Sequence, residues 1–155
     1  MQTHETSNEA QKSSNVSGKN IEESKDRAKI IVKQINATTL AYMGDSVYEV
    51  HIREYLINSG NYKVDRLHKA ATKYVSAKAQ SMIIKNLIES EFLTDEEESV
   101  YKRGRNRHTN TLPRNTSPMT YKEATGFEAL IGYLYMTGEN DRLVEIMNKA
   151  IEIVG

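Results

Sequence analysis

With 155 residues, 38% apolar and 27% charged, the chain is long enough for one domain with a real core and too short to expect two. It has no cysteine, which excludes a disulfide framework and a thiolate metal site, and no apolar run approaches the roughly 18 residues that span a bilayer. Bases and acids balance at 21 each, so bulk charge announces no polyanion partner; without a basic-then-apolar leader, the expectation is a cytoplasmic protein with no membrane association.

Met1 to Asp26 is rich in Ser, Asn, Gln, Lys and Glu, with Val16 and Ile21 as scattered apolar residues. Such a segment buries too little surface to offset its ordering entropy. The expected division is a disordered N-terminal tail over 1–26 and a single domain over 27–155. The tail holds five acids and three bases, which leaves 18 bases against 16 acids and a slightly basic domain. Ile30, Ile31, Val32 and Ile35 suit either a short helix or an extended lead-in docked on the core; pattern does not separate the two.

Asn36 is a good N-cap, and Leu40, Met43, Val47, Val50 and Tyr55 recur at helical spacing until Gly60 stops the run. Asp65 is placed to cap a helix bearing Leu67, Ala70, Ala71 and Tyr74, and Ser76 to cap another through Ala79, Met82, Ile83, Leu87 and Ile88. Thr94-Asp95-Glu96-Glu97 is a capping box, with Glu97 positioned to reach back to the cap amide. Acids at the start of that helix and Lys102 and Arg103 at its end complement the helix dipole, so the acidic run is helix chemistry rather than metal binding. Gly104 is expected to end it.

Arg105 to Thr120 is the longest stretch without periodicity and holds both prolines, Pro113 and Pro118. Loops this long inside a domain tend to be functional. Lys102, Arg103, Arg105, Arg107 and Arg114, with His108, cluster where no acid occurs between Glu98 and Glu123. Clustered bases of this kind neutralise phosphates; the alternative is a solvated basic loop. Tyr121 to Thr137 then reads as a helix closed by Gly138, and a last helix capped by Asn140 carries Leu143, Ile146, Met147, Ala150 and Ile151. With no alternating run that reads as a strand, the expected fold is all-α, a single compact bundle of six or seven helices.

Two residues break the helical pattern. Asp45 follows Gly44 in an apolar helix, and Glu128 interrupts the apolar side of another helix that carries Gly126 and Gly132. A carboxylate turned toward a core is costly unless a cation or donors compensate it. Helices crossing at Gly44 and Gly132 would let both carboxylates converge on a hard cation. The alternative is two unrelated acids, each satisfied locally. Glu49 lies close to Asp45 but also one turn from Arg53, and His68 suits substrate contact or plain helix packing.

The motifs Leu40-Ala41-Tyr42-Met43-Gly44-Asp45-Ser46-Val47-Tyr48-Glu49, Leu67-His68-Lys69, Val75-Ser76-Ala77-Lys78-Ala79-Gln80, Lys102-Arg103-Gly104-Arg105-Asn106 and Phe127-Glu128-Ala129-Leu130-Ile131-Gly132-Tyr133-Leu134 appear in order between about residues 36 and 151. On these the chain resembles the ribonuclease III catalytic domain, and most closely its short branch, Mini-ribonuclease III. The resemblance implies a helical endonuclease domain acting as a homodimer on double-stranded RNA and leaving 5′-phosphate and 3′-hydroxyl ends. It implies Asp45 and Glu128 as catalytic and metal-binding acids for Mg²⁺, with Mn²⁺ as substitute; the clustered bases Lys102, Arg103, Arg105, Arg107 and Arg114 are then the candidate RNA-binding residues by their charge. Glu49, His68 and Lys69 would support the site from its margin. Ordinary members carry two further acids where this chain has Ala41 and Thr125, a departure the short branch shares. That branch is associated with maturation of large-subunit ribosomal RNA. The competing reading is a catalytically silent RNA-binding protein of the same fold.

Overall fold

The computed structural model describes residues 6–60, 63–107 and 115–155, with side chains from Gly18 onward. Among the described residues there are seven helices and no strand: α1 (Thr6–Lys33), α2 (Ala37–Asn58), α3 (Val64–Val75), α4 (Ala77–Glu89), α5 (Asp95–Arg105), α6 (Pro118–Met136) and α7 (Asn140–Val154). The all-α expectation holds. Among the described residues no helix is long and apolar enough to cross a membrane.

The centre of the bundle is α6. From Gly126 to Leu134 every residue except Glu128 is buried, so this helix is apolar nearly all round and must be enclosed. Helices α2, α4, α5 and α7 pack on it, and the end of α1 touches it. Phe127, Leu130, Ile131 and Ile146 are fully enclosed, as are Tyr48 and Ile52 of α2 and Ile83, Ile84 and Leu87 of α4. Each such side chain contributes about 1.5–3 kcal/mol by leaving water. Tyr48 sets its ring edge-on to Phe127 at 5.1 Å, and its hydroxyl donates to the Tyr74 carbonyl at 3.0 Å, tying α2 to α3 and α6 at once.

The helix ends follow local chemistry in most places. Asn36 accepts from the Thr38 amide at 2.9 Å, and Ser76 from the Ala79 amide at 3.2 Å. The Thr94–Glu97 capping box is formed in both directions, at 2.9 and 3.2 Å. Glu97 also takes two bonds from Arg142 at 2.8 Å, and Arg142 reaches the Phe92 carbonyl, so the start of α5 is clamped to α7 by a largely buried ion pair.

Several expectations need correction. Asp65 lies in the first turn of α3 rather than at its cap, and Asn140 is the first residue of α7, not its cap. Ser117 caps α6, which begins at Pro118, earlier than Tyr121. Gly104 does not stop α5, which continues to Arg105. A Cβ there would come within 2.8 Å of the Ala129 Cβ and 3.0 Å of the Gly126 Cα, so this glycine serves the close approach of α5 to α6. The buried face of α2 is Ala37, Leu40, Ala41, Gly44, Tyr48, Ile52 and Leu56, leaving Val50 and Tyr55 exposed. Both stripes have helical spacing, and only the position of α6 selects between them.

The expected tail over 1–26 falls largely within α1. From Thr6 the chain forms one helix through Lys33, while Met1–Glu5 lie outside the described residues. Gly18 to Arg27 are all exposed. A helix satisfies its backbone groups internally, so low apolar content does not bar it. Docking begins later, with buried Val32, the Lys29–Glu139 pair at 3.6 Å, and Arg103 donating to the Lys33 carbonyl at 3.1 Å.

Candidate active site

The site is built where α2 crosses α6. A Cβ on Gly44 would fall 1.8 Å from the Glu128 carbonyl oxygen, and one on Gly132 would fall 1.9 Å from the Leu40 carbonyl oxygen. The two backbones therefore touch, and only glycine at both positions permits it. Asp45 and Glu128 are the residues at this contact: one follows the α2 glycine, the other supplies the carbonyl that the glycine meets.

Their surroundings differ. Asp45 is exposed at the rim rather than turned into the core, because Gly44 occupies the contact position and the next residue is rotated outward by a helical step. Its carboxyl is nonetheless raised above the ordinary carboxylate value, first by partial burial and then by the charge of Glu49. Glu128 is half-buried, and its carboxyl is pushed up to about 8. Burial is the main cause, the Asp45 charge the next, and Glu49 adds to it, while the Gln80 amide opposes them. The Asp45 charge acts on Glu128, and Glu49 acts on both. A carboxylic acid that keeps its proton near neutral pH lacks a nearby positive charge, and a cation between these two would supply it.

Ala41 and Thr125 flank the acids. Ala41 is buried and has no ligand atom, and the Thr125 hydroxyl spends its one hydrogen on the Tyr121 carbonyl at 2.9 Å. Among the described residues no group of three His, Cys, Asp or Glu could hold a metal ion. Glu49 pairs with Arg53 at 3.0 Å. It also lines an apolar groove of about 230 Å³ with His68, Leu67 and Val64 between α2 and α3. Lys69 is exposed on α3.

The basic residues Lys102, Arg103 and Arg105 lie in the last turn of α5. Lys102 pairs with Glu98 at 3.4 Å, Arg103 holds α1, and Arg105 lies over the Tyr101 ring at 5.5 Å. Arg107 lines a small cleft with Thr38, Lys122 and Thr125. His108 and Arg114 lie outside the described residues. Two further clefts on the first turn of α6 are lined by Lys78 and Lys85, which sequence spacing did not mark because they come from α4.

Residues 38–139 match the Ribonuclease III domain, covering both acids, their glycines and the basic segment. The chain belongs to the ribonuclease III domain family. Among its relatives, a Mini-ribonuclease 3 of Enterococcus faecalis is 49% identical over 123 residues, 79% of this chain and 93% of that protein. One of Streptococcus pneumoniae is 46% identical over 81% of this chain and 98% of its own length. A crystal structure of a Fusobacterium nucleatum protein superposes with a TM-score of 0.70 at 35% identity, covering 78% of this chain and 95% of that one. The bundle is thus a ribonuclease III-type domain.

Proposed function

We propose that this ribonuclease III-family chain is a divalent-metal-dependent endoribonuclease that cuts double-stranded RNA, with residues 27–155 as its catalytic domain. The observation that carries the reading is the glycine crossing that sets Glu128, its carboxyl pushed up to about 8, beside Asp45. The donor set fits a hard cation, since only oxygen is offered and the inner acid lacks opposite charge. Asp45 and Glu128 would hold Mg²⁺, with Mn²⁺ as substitute. Bound there, the ion supplies positive charge for phosphodiester oxygens and lowers the pKa of a water.

The chain's own residues divide the remaining work. Asp45, at the exposed rim, meets the incoming backbone; Glu128 gives up its proton when opposite charge arrives; the crossing glycines fix the spacing of the two helices. Lys102, Arg103, Arg105, Arg107 and Arg114 would bind the duplex, joined by Lys78, Lys85 and Lys122 around the first turns of α6. Recognition would follow A-form shape, phosphates and 2′-hydroxyls rather than base sequence. Glu49, His68 and Lys69 would act at the margin. The products would carry 5′-phosphate and 3′-hydroxyl ends, and the physiological substrate would be precursor large-subunit ribosomal RNA in the cytoplasm.

A homodimer follows from the need to cut two strands with one site per chain. Tyr42, 80% exposed, lies one turn from Asp45 on α2, and a second copy covering it would sequester that apolar side chain. Sedimentation at assay concentrations should give a dimer; an active monomer would refute this.

The second reading, a silent RNA-binding member, is favoured by the lack of a three-acid cluster among the described residues. Incubation with duplex RNA in Mg²⁺ and in EDTA separates them. Metal-dependent double-strand cutting supports the nuclease, whereas binding without cutting supports the silent protein.

A further inference from the structure

Where the end of α5 meets the first turns of α2 and α6, a small cleft of about 40 Å³ is lined by Thr38, Gly104, Arg107, Tyr121, Lys122 and Thr125. It holds two cations and no carboxylate, whereas the two clefts at Lys85 both carry Glu89 and one of them adds Glu123. Of the three, this cleft therefore suits an anion best. Its volume exceeds the roughly 10–15 Å³ that one water needs, which admits a few oxygen atoms and no base.

The two threonines carry the finer information. The Thr38 hydroxyl lies 2.8 Å from Asn36 Oδ1, which also takes the Thr38 amide at 2.9 Å, so that oxygen accepts and the hydroxyl donates to it. The Thr125 hydroxyl donates to the Tyr121 carbonyl at 2.9 Å. Each hydroxyl has one hydrogen, and both hydrogens are spent inside the protein. Toward a ligand, then, the two threonines can only accept. Anion binding falls to Arg107 and Lys122, and the threonine oxygens suit a hydroxyl donor beside the anion. A phosphate with a neighbouring hydroxyl recurs along an RNA strand, and the 2′-hydroxyl is what a DNA strand lacks. Thr125 stands one turn before Glu128 on α6 and Thr38 two turns before Asp45 on α2, so each threonine shares a helix side with one of the acids.

We propose that this cleft reads the ribose: Arg107 and Lys122 take a backbone phosphate of the duplex, and Thr38 and Thr125 accept from a 2′-hydroxyl next to it. This inference rests on the duplex-RNA reading, and the test separates the two.

Full-length wild type, Thr38→Val, Thr125→Val, the double variant and Arg107→Gln are compared for affinity toward a duplex RNA and toward the same duplex with fluorine at every 2′ position, which cannot donate there. Binding is measured in EDTA, so the result does not depend on the metal site. Wild type should prefer the hydroxyl-bearing duplex, and each valine should narrow that preference by about 2–10-fold, the worth of one neutral hydrogen bond. Affinity for the fluorinated duplex should stay unchanged in the valine variants. Arg107→Gln should weaken both duplexes alike and lower the salt slope by about one. Equal wild-type affinity for the two duplexes, or the same preference in wild type and the double variant, would overturn the proposal and leave the duplex-RNA reading standing. A wild-type protein that binds neither duplex would overturn both. Should the valine variants fail to fold, Arg107→Gln decides, and an unchanged salt slope would overturn the cleft as a phosphate site.

Discussion

Replacing Glu128 with Gln should stabilise the metal-free protein at alkaline pH and leave it nearly unchanged at acid pH. The carboxyl of Glu128 moves from an ordinary 4.5 to about 8 in the fold, mainly through burial and secondarily through Asp45. A folded pKa above the unfolded one means that the folded protein holds a proton the unfolded chain releases. The associated stability is complete below pH 4.5 and is lost as pH rises through about 8. Each pKa step corresponds to about 1.4 kcal/mol, so the full displacement would be worth about 4–5 kcal/mol. Water at this half-buried carboxyl screens part of it, leaving roughly 2–3 kcal/mol. Gln keeps the shape and cannot ionise. Melting followed by circular dichroism in EDTA should therefore place Glu128→Gln roughly 5–10 °C above wild type at pH 8.5 and within about 1–2 °C at pH 4.5. Adding Mg²⁺ at pH 8.5 should raise the wild-type midpoint and not that of the variant. Parallel melting curves for the two proteins across this pH range would refute the reasoning.

Gly44→Ala should lower stability by at least about 1–3 kcal/mol, since the new methyl meets a main-chain oxygen at 1.8 Å and the gain in helix propensity is only about 1 kcal/mol. Denaturant unfolding measures this, and a neutral or stabilising effect would show that the helices do not touch at Gly44. The variant that changes Arg105, Arg107 and Arg114 together to Ala should bind every duplex RNA more weakly and with a shallower dependence on salt, seen by filter binding between about 50 and 200 mM salt. Equal affinity and slope would make the segment a solvated loop. Removing residues 1–26 should leave the melting midpoint and cleavage rate about unchanged, because docking of α1 starts with Lys29 and Val32. A marked loss of either would assign the segment a structural role.

What could be read before the fold was known was local. Asn36, Ser76 and the Thr94–Glu97 box announce helix starts because the capping bond spans only two or three residues. Asp65 and Asn140 misled for a related reason: a polar residue in the first turn has much the same sequence signature as one at the cap. Gly104 was read as a stop because glycine commonly ends helices, whereas its function depends on Gly126 and Ala129, which no local window contains. The same limit applies to the site. Asp45 and Glu128 stood out as charges in apolar helices, but the outward turn of Asp45 depends on Gly44 filling the contact with α6.

On the proposed function, Asp45 and Glu128 jointly hold one catalytic cation. The most direct test is single-turnover cleavage of a duplex RNA in Mg²⁺ by wild type, Asp45→Asn and Glu128→Gln, with RNA affinity measured in parallel. The predicted result is metal-dependent cutting by wild type and a rate lowered at least about 100-fold in each variant at nearly unchanged affinity, an order expected when charge stabilisation at the reacting group is lost. Cleavage by either variant at close to the wild-type rate would contradict the claim.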